Sequence, residues 1–359
     1  MLDFTSALYL GLQHPSASLA PWDAFTLGRP AALDEPPDAE AVAQQVADLQ
    51  GAESATLLPS TLHLFWDLFP LLADGQHAIL CDVELYPIAR WGAERAACTG
   101  VSVRTFPHHN VAVLSRIVRR LGRAGLRPIV VTDGYCPSCG RPAPIRAYAD
   151  LVRLAGGYLV LDDTQALGIL GSAPAKAQPY GIGGGGSLRW HRAFGPHIIV
   201  GSSLAKGFGA PLAALSGSRA VIDRFRARSE TRIHCSPPSV AAVRAAREAL
   251  HLNQHHGDRL RRKLLELVVR LRRHLGASGL MPAGSFPFPV QSFCAGAPSL
   301  LGLVLRWLKS CGVRALITKG CKSVGASVTF LLTAQHGPTD IDIVAGAAAI
   351  ASRMALARA

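Results

Sequence analysis

Short, almost entirely apolar segments alternate with amphipathic helical segments through the first two thirds of the chain. Each ends in a polar or glycine residue, and the clearest are HAILCD (77–82), RPIVVTDG (127–134), YLVLDDT (158–164), HIIVGSS (197–203) and LAALSGS (212–218). Continuous apolar runs of this length are typical of strands buried on both faces of a parallel sheet. The alternation therefore predicts an α/β fold with a large, doubly wound, mainly parallel sheet.

Ligands of such sheets bind at the carboxyl ends of the strands. Polar residues close two of the apolar runs, Asp162 and Asp163 in one case and Ser202 and Ser203 in the other. These four residues are therefore the first candidates for a functional site.

The sequence pattern changes after residue 238, where one or two long basic helices (239–276) precede two strand-like segments, 313–319 and 326–334, and a final helix at 338–357. We predict an N-terminal arm at 1–40, a large domain at 41–238 and a small α+β domain at 239–359. Hydrophobic residues make up 49% of the chain and charged residues 17%, which excludes a disordered protein.

Neither membrane nor nucleic acid is expected as a partner. No apolar run reaches the ~18 residues of a membrane span, and no basic region precedes the first apolar stretch, so we expect a cytoplasmic protein. The net charge is +13, but no basic run is interleaved with aromatic residues. An anionic substrate or carrier protein is compatible with this charge. Eight cysteines are too sparse for a disulfide scaffold.

A lysine follows one of the apolar runs within a stretch of small residues, GSSLAKGFGAP (201–211). Lys206 cannot extend far into solvent from such a stretch. Burial lowers the pKa of an amine, which suits Schiff-base chemistry. The alternative is an exposed loop lysine whose glycine neighbours serve a turn.

Two adjacent carboxylates, Asp162 and Asp163, follow the strand at 158–161. Because side chains alternate along a strand, only one of them faces the crevice. A buried carboxylate there needs a cationic partner, such as the protonated pyridine nitrogen of pyridoxal 5'-phosphate (PLP). The alternative is a helix cap or an ordinary ion pair.

Together these segments resemble fold-type I PLP-dependent transferases, in particular the α-oxoamine synthases of aminotransferase class I/II (8-amino-7-oxononanoate synthase, glycine C-acetyltransferase and relatives). LVLDDTQALGILG (159–171) is similar to the group's aspartate motif and GSSLAKGFG (201–209) to its lysine motif. Weaker similarity covers SALYLGLQHP (6–15), LLPSTLHLFWDL (57–68), CDVELYPIARWGAERA (81–96) and ASVTFLLTAQHGPTDID (326–342).

The resemblance implies PLP as the cofactor and assigns two catalytic residues. Lys206 would carry the cofactor as an aldimine and move the substrate's α-proton, while Asp162 would pair with the pyridine nitrogen. The remaining cofactor contacts would come from Tyr86 on the ring face, Gln165 near the ring hydroxyl, and Ser203, Ser60, Thr61, Leu62 and His234 around the phosphate. Residues 60–62 are expected to open a helix whose N-terminus favours an anion. His234 lies in the segment by which a partner subunit would reach the phosphate, which implies a homodimer with shared active sites.

Several positions depart from the group's pattern. Gln165 replaces a histidine, and it can donate a hydrogen bond but cannot ionise. Pro137 stands where the group often has a serine. The arginine that grips the substrate carboxylate has no counterpart, because Ser327 and Thr329 occupy that stretch. Lys319 and Lys322, just upstream, are alternative cations.

Cys136 and Cys139 form a CPSC motif, which has the spacing of half a zinc site or of a redox pair. No second pair at zinc spacing follows, and the dipeptide His108-His109 does not complete four ligands. On the sequence alone we therefore expect no metal.

The expected function is that of a PLP-dependent transferase that forms an external aldimine with an amino-acid-like donor. The resemblance favours condensation with an acyl thioester carried by coenzyme A or an acyl carrier protein. An aminotransferase is the alternative enzyme, because it needs the same lysine and aspartate. A non-catalytic binding protein that keeps the fold is a third alternative.

Overall fold

The computed structural model describes residues 1–73, 75–293, 300–321 and 326–356. Its strands are β1 (Leu2–Asp3), β2 (Ser54–Leu58), β3 (His77–Asp82), β4 (Ser102–Phe106), β5 (Arg127–Asp133), β6 (Tyr135–Cys136), β7 (Arg141–Pro142), β8 (Tyr158–Asp162), β9 (Ile198–Ser203), β10 (Ala213–Gly217), β11 (Val290–Phe293), β12 (Val313–Arg314), β13 (Leu316–Lys319) and β14 (Ala326–Leu331). Its helices are α1 (Ala39–Gln50), α2 (Thr61–Leu72), α3 (Pro87–Ala97), α4 (Val111–Arg123), α5 (Ile145–Leu154), α6 (Gly186–His191), α7 (Arg219–Arg228), α8 (Glu230–His234), α9 (Val240–Ala277), α10 (Leu301–Ser310) and α11 (Pro338–Leu356).

A seven-stranded sheet forms the centre of the molecule, in the order β2-β10-β9-β8-β5-β3-β4. The strands β9, β8, β5, β3 and β4 are parallel to one another. The strand β10 runs in the opposite direction, antiparallel to its two neighbours β2 and β9. All five apolar runs identified in the sequence form strands of this sheet. The strands β3 and β10 are buried along their whole length. Helices on both faces remove these apolar residues from water, which is why the strands lack an alternating polar face.

Alternate residues of each central strand pack on opposite helical layers. Ile79 and Val131 pack with α2 and α3 on one face, while Leu80 and Val130 pack with α4 and α5 on the other. This two-sided cover is the doubly wound arrangement predicted from the sequence.

The strand register aligns the carboxyl ends of β5, β8 and β9. Asp133 pairs with Asp162, and Asp162 pairs in turn with Gly201. Polar residues that lie far apart in the sequence are thereby brought to one edge of the sheet, where the site is built.

The 38-residue helix α9 leads into the C-terminal part of the chain, where β11, β14 and β13 form an antiparallel sheet beside α10 and α11. Leu2 pairs with Val313 across the parallel β1–β12 ladder, so the start of the chain contacts this C-terminal part. The sequence suggested one strand at 313–319, but the segment breaks at Ala315 because β12 pairs with β1 and β13 pairs with β14. The domain boundaries at 40 and 238 stay predictions.

Among the described residues, we find no helix with the length and apolar character needed to cross a bilayer.

Candidate active site

A cavity of about 520 Å³ opens at the carboxyl ends of β5, β8 and β9. This volume is in the range of small-molecule sites. Its lining combines carboxylates, hydroxyls, one aromatic ring and two amines: Thr61, Glu84, Tyr86, Pro87, Ile88, Asp133, Cys136, Pro137, Ser138, Asp162, Thr164, Gln165, Ser203, Ala205, Lys206 and Lys319.

Lys206 lies on the turn that follows β9 and is half-buried in this cavity. Its Nζ is 5.8 Å from the centroid of the Tyr86 ring. Burial lowers the pKa of the lysine amine, while the carboxylates of Asp162 and Asp133 act in the opposite direction. The neighbouring Gly207 has a packing role, because a Cβ there would lie 2.5 Å from the Leu167 carbonyl oxygen. The lysine is therefore held inside the site by close backbone packing.

The adjacent carboxylates Asp162 and Asp163 point to opposite sides of the sheet. Asp162 lines the cavity, and its Oδ1 accepts a hydrogen bond from the Thr164 backbone N at 3.0 Å. Asp163 instead accepts from the Ser187 backbone N at 2.8 Å, at the start of α6. A Cβ at Gly134 would lie only 2.1 Å from Asp163 Oδ1. Asp163 is thus a buried packing residue, and Asp162, the member of the pair that the resemblance assigns, is the one that lines the cavity.

Asp133 is a site residue that the sequence analysis missed. It ends β5 beside Asp162, and its Oδ1 accepts from the Tyr86 backbone N at 3.3 Å. Burial raises its pKa well above the usual range, and the negative charge of Asp162 acts in the same direction. Asp133 is the last residue but one of the segment RPIVVTDG and ends β5, so the end-of-strand rule that drew attention to Asp162 would also have found it.

Hydroxyl groups and a helix N-terminus border one end of the cavity. Ser60 is the N-cap residue of α2, but its Oγ contacts His63 Nδ1 at 2.9 Å and does not cap the helix. The helix begins at Thr61 as predicted, and Thr61 lines the cavity. Ser203 lines the same cavity, and its backbone N donates to Thr164 Oγ1 at 3.0 Å. Uncapped amides at a helix N-terminus favour an anion.

Gln165 is oriented by a buried tyrosine. Tyr9 OH donates to Gln165 Oε1 at 2.6 Å, and Tyr9 is 1% exposed. Because its oxygen is thereby occupied, Gln165 has its amide N–H groups left to donate in the cavity.

Ser60 is not among the residues that line the cavity, and the same holds for three other candidates. Ser202 is fully buried and accepts from Gln50 Nε2 at 3.1 Å. Leu62 is 41% exposed on the first turn of α2. His234, the last residue of α8, is also exposed. None of the three is among the residues that line the cavity.

The stretch where an arginine was expected is buried in the small antiparallel sheet. Thr329 is fully buried, and its Oγ1 bonds Ser292 Oγ at 2.7 Å and Thr318 Oγ1 at 2.6 Å. Ser327 is buried as well, and neither residue lines the cavity. Lys319 does line it, whereas Lys322 lies outside the described residues.

The cavity residues fit PLP. A partly desolvated lysine amine suits the aldehyde group. The carboxylate of Asp162, 6% exposed, accepts a hydrogen bond from the Thr164 backbone N, and no basic side chain among the described residues donates one to it. Such a carboxylate calls for a cation like the pyridinium nitrogen. The half-exposed Tyr86 ring offers a stacking surface, and the N-terminus of α2 offers an anion site.

A larger cleft, about 880 Å³, lies between residues 18–20, α1 and α9. Its charged lining includes Arg244, Arg247 and Glu248. Lys206 and Asp162 both line the smaller cavity, so we assign the candidate active site to the smaller one.

Comparison with known proteins agrees with this geometry. The sequence model of the family described as aminotransferase class I and II matches residues 2–292. An 8-amino-7-oxononanoate synthase from Alkalilimnicola ehrlichii is 28% identical over 312 residues, which cover 85% of this chain and 75% of that protein.

Two solved structures share the fold. A serine palmitoyltransferase from S. paucimobilis with a bound PLP–myriocin aldimine superposes with a TM-score of 0.86 at 16% identity, over 99% of this chain and 88% of that one. The 8-amino-7-oxononanoate synthase of Francisella tularensis gives a TM-score of 0.77 at 16% identity, over 98% of both chains. These likenesses confirm the predicted fold-type I architecture.

Proposed function

The chain belongs to the aminotransferase class I and II family, and on that premise we propose that it is a PLP-dependent transferase that joins an amino-acid-like donor to an acyl thioester. In this reaction the donor carbon next to the amino group loses a proton or carbon dioxide. A bond then forms between that carbon and the thioester carbonyl carbon, and the thiol leaves.

The observation that carries the proposal is the convergence of Lys206 and Asp162 on one cavity from the ends of two neighbouring strands. Bound PLP supplies an electron sink that stabilises negative charge on the carbon beside the donor's amino group. Lys206 would hold the cofactor covalently, and Asp162 would keep its pyridine nitrogen protonated. Tyr86 would cover the ring face, and Gln165 would donate a hydrogen bond to the ring hydroxyl.

We assign the phosphate to Ser203, Ser60 and the backbone of Thr61 and Leu62 at the N-terminus of α2. His234 is exposed on the single chain and does not line its cavity. It would therefore reach a cofactor phosphate only in a second copy of the chain. Tyr86 is also 52% exposed, which leaves room for a partner subunit at the mouth of the cavity. A homodimer with shared sites is therefore part of the proposal.

Lys206 would also move the substrate proton. Because burial lowers its pKa, a larger share of the amine is neutral at neutral pH than for an exposed lysine. A neutral amine can accept a proton from the donor carbon and return it later, as general acid–base catalysis requires.

Lys319 is our candidate for the substrate carboxylate. It lines the same cavity as Lys206, while the stretch where the resemblance leads one to expect an arginine holds buried hydroxyls. An ammonium is a point charge and lacks the two-pronged geometry of arginine. The donor carboxylate would therefore be held less rigidly.

The acyl donor is proposed to be coenzyme A or an acyl carrier protein. Both are polyanions, and the net charge of +13 favours their approach. The cytoplasm remains the proposed location, since none of the described cysteines forms a disulfide, as is usual in reducing compartments.

The test is to mix the PLP-loaded protein with a panel of amino acids, with and without acyl-coenzyme A or an acylated carrier protein. The free thiol is measured with a chromogenic reagent, and the products are identified by mass spectrometry. Thiol release that requires both substrates, together with an aminoketone product, supports condensation.

Full conversion of the cofactor to pyridoxamine phosphate, with a keto acid and without any thioester, would identify an aminotransferase instead. Failure to bind PLP at all would favour the non-catalytic alternative.

A further inference from the structure

Four side chains with metal-binding atoms converge beside the cavity from three distant segments. His108 follows β4, Cys136 and Cys139 belong to the β6–β7 hairpin, and Cys321 follows β13. The His108 ring nitrogen and the three sulfur atoms all lie within 4.8 Å of one another. We propose that these four residues bind a structural zinc ion.

The distances between the ligand atoms suit a tetrahedral metal site. Zinc–sulfur bonds of about 2.3 Å and zinc–nitrogen bonds of about 2.0 Å place neighbouring ligands roughly 3.5–3.8 Å apart. Cys136 Sγ and Cys321 Sγ are 3.7 Å apart, and His108 Nε2 is 3.2 Å from Cys139 Sγ. A disulfide would need a sulfur separation of about 2.05 Å.

The histidine is oriented by a buried carboxylate. His108 Nδ1 lies 2.8 Å from Asp82 Oδ1, and Asp82 is 1% exposed. The backbone N–H groups of Glu84 and His109 also donate to this carboxylate at 2.9 and 3.2 Å. A proton on Nδ1 leaves the lone pair on Nε2, which faces the thiols. Metal-bound histidines usually have such a carboxylate on the opposite ring nitrogen.

The ligand set favours zinc over other metals. Three thiolates and one imidazole form a closed, four-coordinate site, and the two-residue gap between Cys136 and Cys139 is common in structural zinc sites. Soft thiolates disfavour magnesium and calcium. Four protein ligands would fill all four coordination positions, so the metal would have no open position for catalysis. Cys136 and Cys321 are buried and the other two ligands are partly buried, which also keeps the site away from solvent.

The proposed zinc site ties the C-terminal strand β13 to the hairpin that forms one wall of the cavity. Cys136 and Lys319 both line the cavity, and Ser138 Oγ donates to the Lys319 carbonyl oxygen at 3.3 Å. A metal at Cys321, two residues after Lys319, would fix the position of this lysine. The site itself does not depend on the proposed transferase function, because zinc is measured without substrate.

The direct test is the metal content of the full chain, expressed in zinc-supplemented medium with a tag that contains no histidine. After dialysis against a weak chelator, elemental analysis is expected to give about one zinc per chain. Cys321→Ser and Cys139→Ser should lose the zinc. Cys98→Ser and Cys311→Ser are matched controls, because both cysteines are exposed and lie outside the cluster, and they should retain it.

Two measurements do not depend on a cysteine variant that folds. Cobalt substituted into the wild-type protein should show the intense thiolate charge-transfer bands and visible bands of a tetrahedral site. Asp82→Asn should keep the fold and weaken zinc binding by about 10- to 100-fold in competition with a chromogenic chelator, because it loses the carboxylate behind His108.

Three results would overturn the proposal. The first is a wild-type protein that lacks stoichiometric zinc and contains a disulfide within the cluster, seen as a lower intact mass because two hydrogen atoms are lost. The second is iron with acid-labile sulfide in place of zinc. The third is equal zinc content in the cluster variants and the controls.

Discussion

The adjacent aspartates Asp162 and Asp163 are expected to respond in opposite ways to the same substitution. Both are buried at the end of β8, with exposures of 6% and 1%. Asp162 lines the cavity, whereas Asp163 packs against Gly134 and the start of α6. Asp162→Asn should therefore lower turnover strongly, and Asp163→Asn should change the pH dependence of stability.

Burial raises the pKa of Asp163 from 3.8 to about 7. Because the folded chain then holds this proton more tightly than the unfolded chain, ionisation opposes folding, and stability falls as the pH rises from about 4 through about 7. At about 1.4 kcal/mol for each tenfold change in proton affinity, the whole effect is about 4 kcal/mol. Roughly 3 kcal/mol of it falls between pH 5 and pH 8.

Asp163→Asn removes this titration. The asparagine oxygen can still accept from the Ser187 backbone N, and its amide can donate to the neighbouring Ser187 Oγ. The stability of the variant relative to wild type should therefore rise by about 3 kcal/mol between pH 5 and pH 8. Its activity near neutral pH should stay within a few-fold of wild type.

Asp162→Asn removes the negative charge proposed to face the pyridine nitrogen. Loss of one such electrostatic contact to a reacting group costs roughly 2.7–4 kcal/mol, or about 10²- to 10³-fold in turnover. Its Oδ1 contact with the Thr164 backbone N can be kept by an amide oxygen, so PLP should still bind.

The assay combines urea unfolding at pH 5 and pH 8, followed by tryptophan fluorescence, with turnover of the PLP-loaded protein. A larger loss of activity in Asp163→Asn than in Asp162→Asn would refute the assignment of the two side chains. A stability difference between Asp163→Asn and wild type that does not change with pH would refute the burial argument.

The other predictions concern the lysines and their surroundings. Lys206→Ala should lower turnover by about 10²-fold or more, because it removes the proposed acid–base group. In the same variant, peptide mass spectrometry after borohydride reduction should find no cofactor attached to residue 206. Gly207→Ala should lower stability by about 1–3 kcal/mol in urea titrations, since its Cβ would meet the Leu167 carbonyl oxygen at 2.5 Å; an unchanged midpoint would contradict the packing role. Lys319→Ala should raise KM for the amino donor by about 10-fold or more with little change in kcat, because it removes a charged contact worth roughly 1.5–3 kcal/mol. Lys319→Arg should restore part of the affinity for the amino donor. Lys176→Ala, on an exposed loop, is the control and should leave KM unchanged. An unchanged KM in Lys319→Ala would exclude the carboxylate role.

Local patterns in the sequence predicted five of the seven strands of the central sheet and two residues of the cavity at their ends, but not β2 and β4. Apolar runs such as 77–82 and 158–161 form strands because burial on both faces requires continuous hydrophobicity, and that requirement is visible residue by residue. Two of these runs are followed by residues that line the cavity, so strand ends and their immediate neighbours were enough to nominate Asp162 and Lys206. The close approach of Gly207 to the Leu167 carbonyl oxygen was not predicted, because it joins two segments far apart in the sequence.

Tertiary structure alone decided which distant residues meet. Lys319 reaches the cavity, and Cys321 reaches His108 and the CPSC motif, because β13 lies against the hairpin that follows β5. The break of 313–319 into β12 and β13 has the same origin, since each half pairs with a strand from a different part of the chain. Periodicity records how one segment faces a core, but it carries no information on which other segment packs there. For that reason the strand ends could be predicted from the sequence, while the candidate metal cluster and the approach of Lys319 to the cavity required the folded chain.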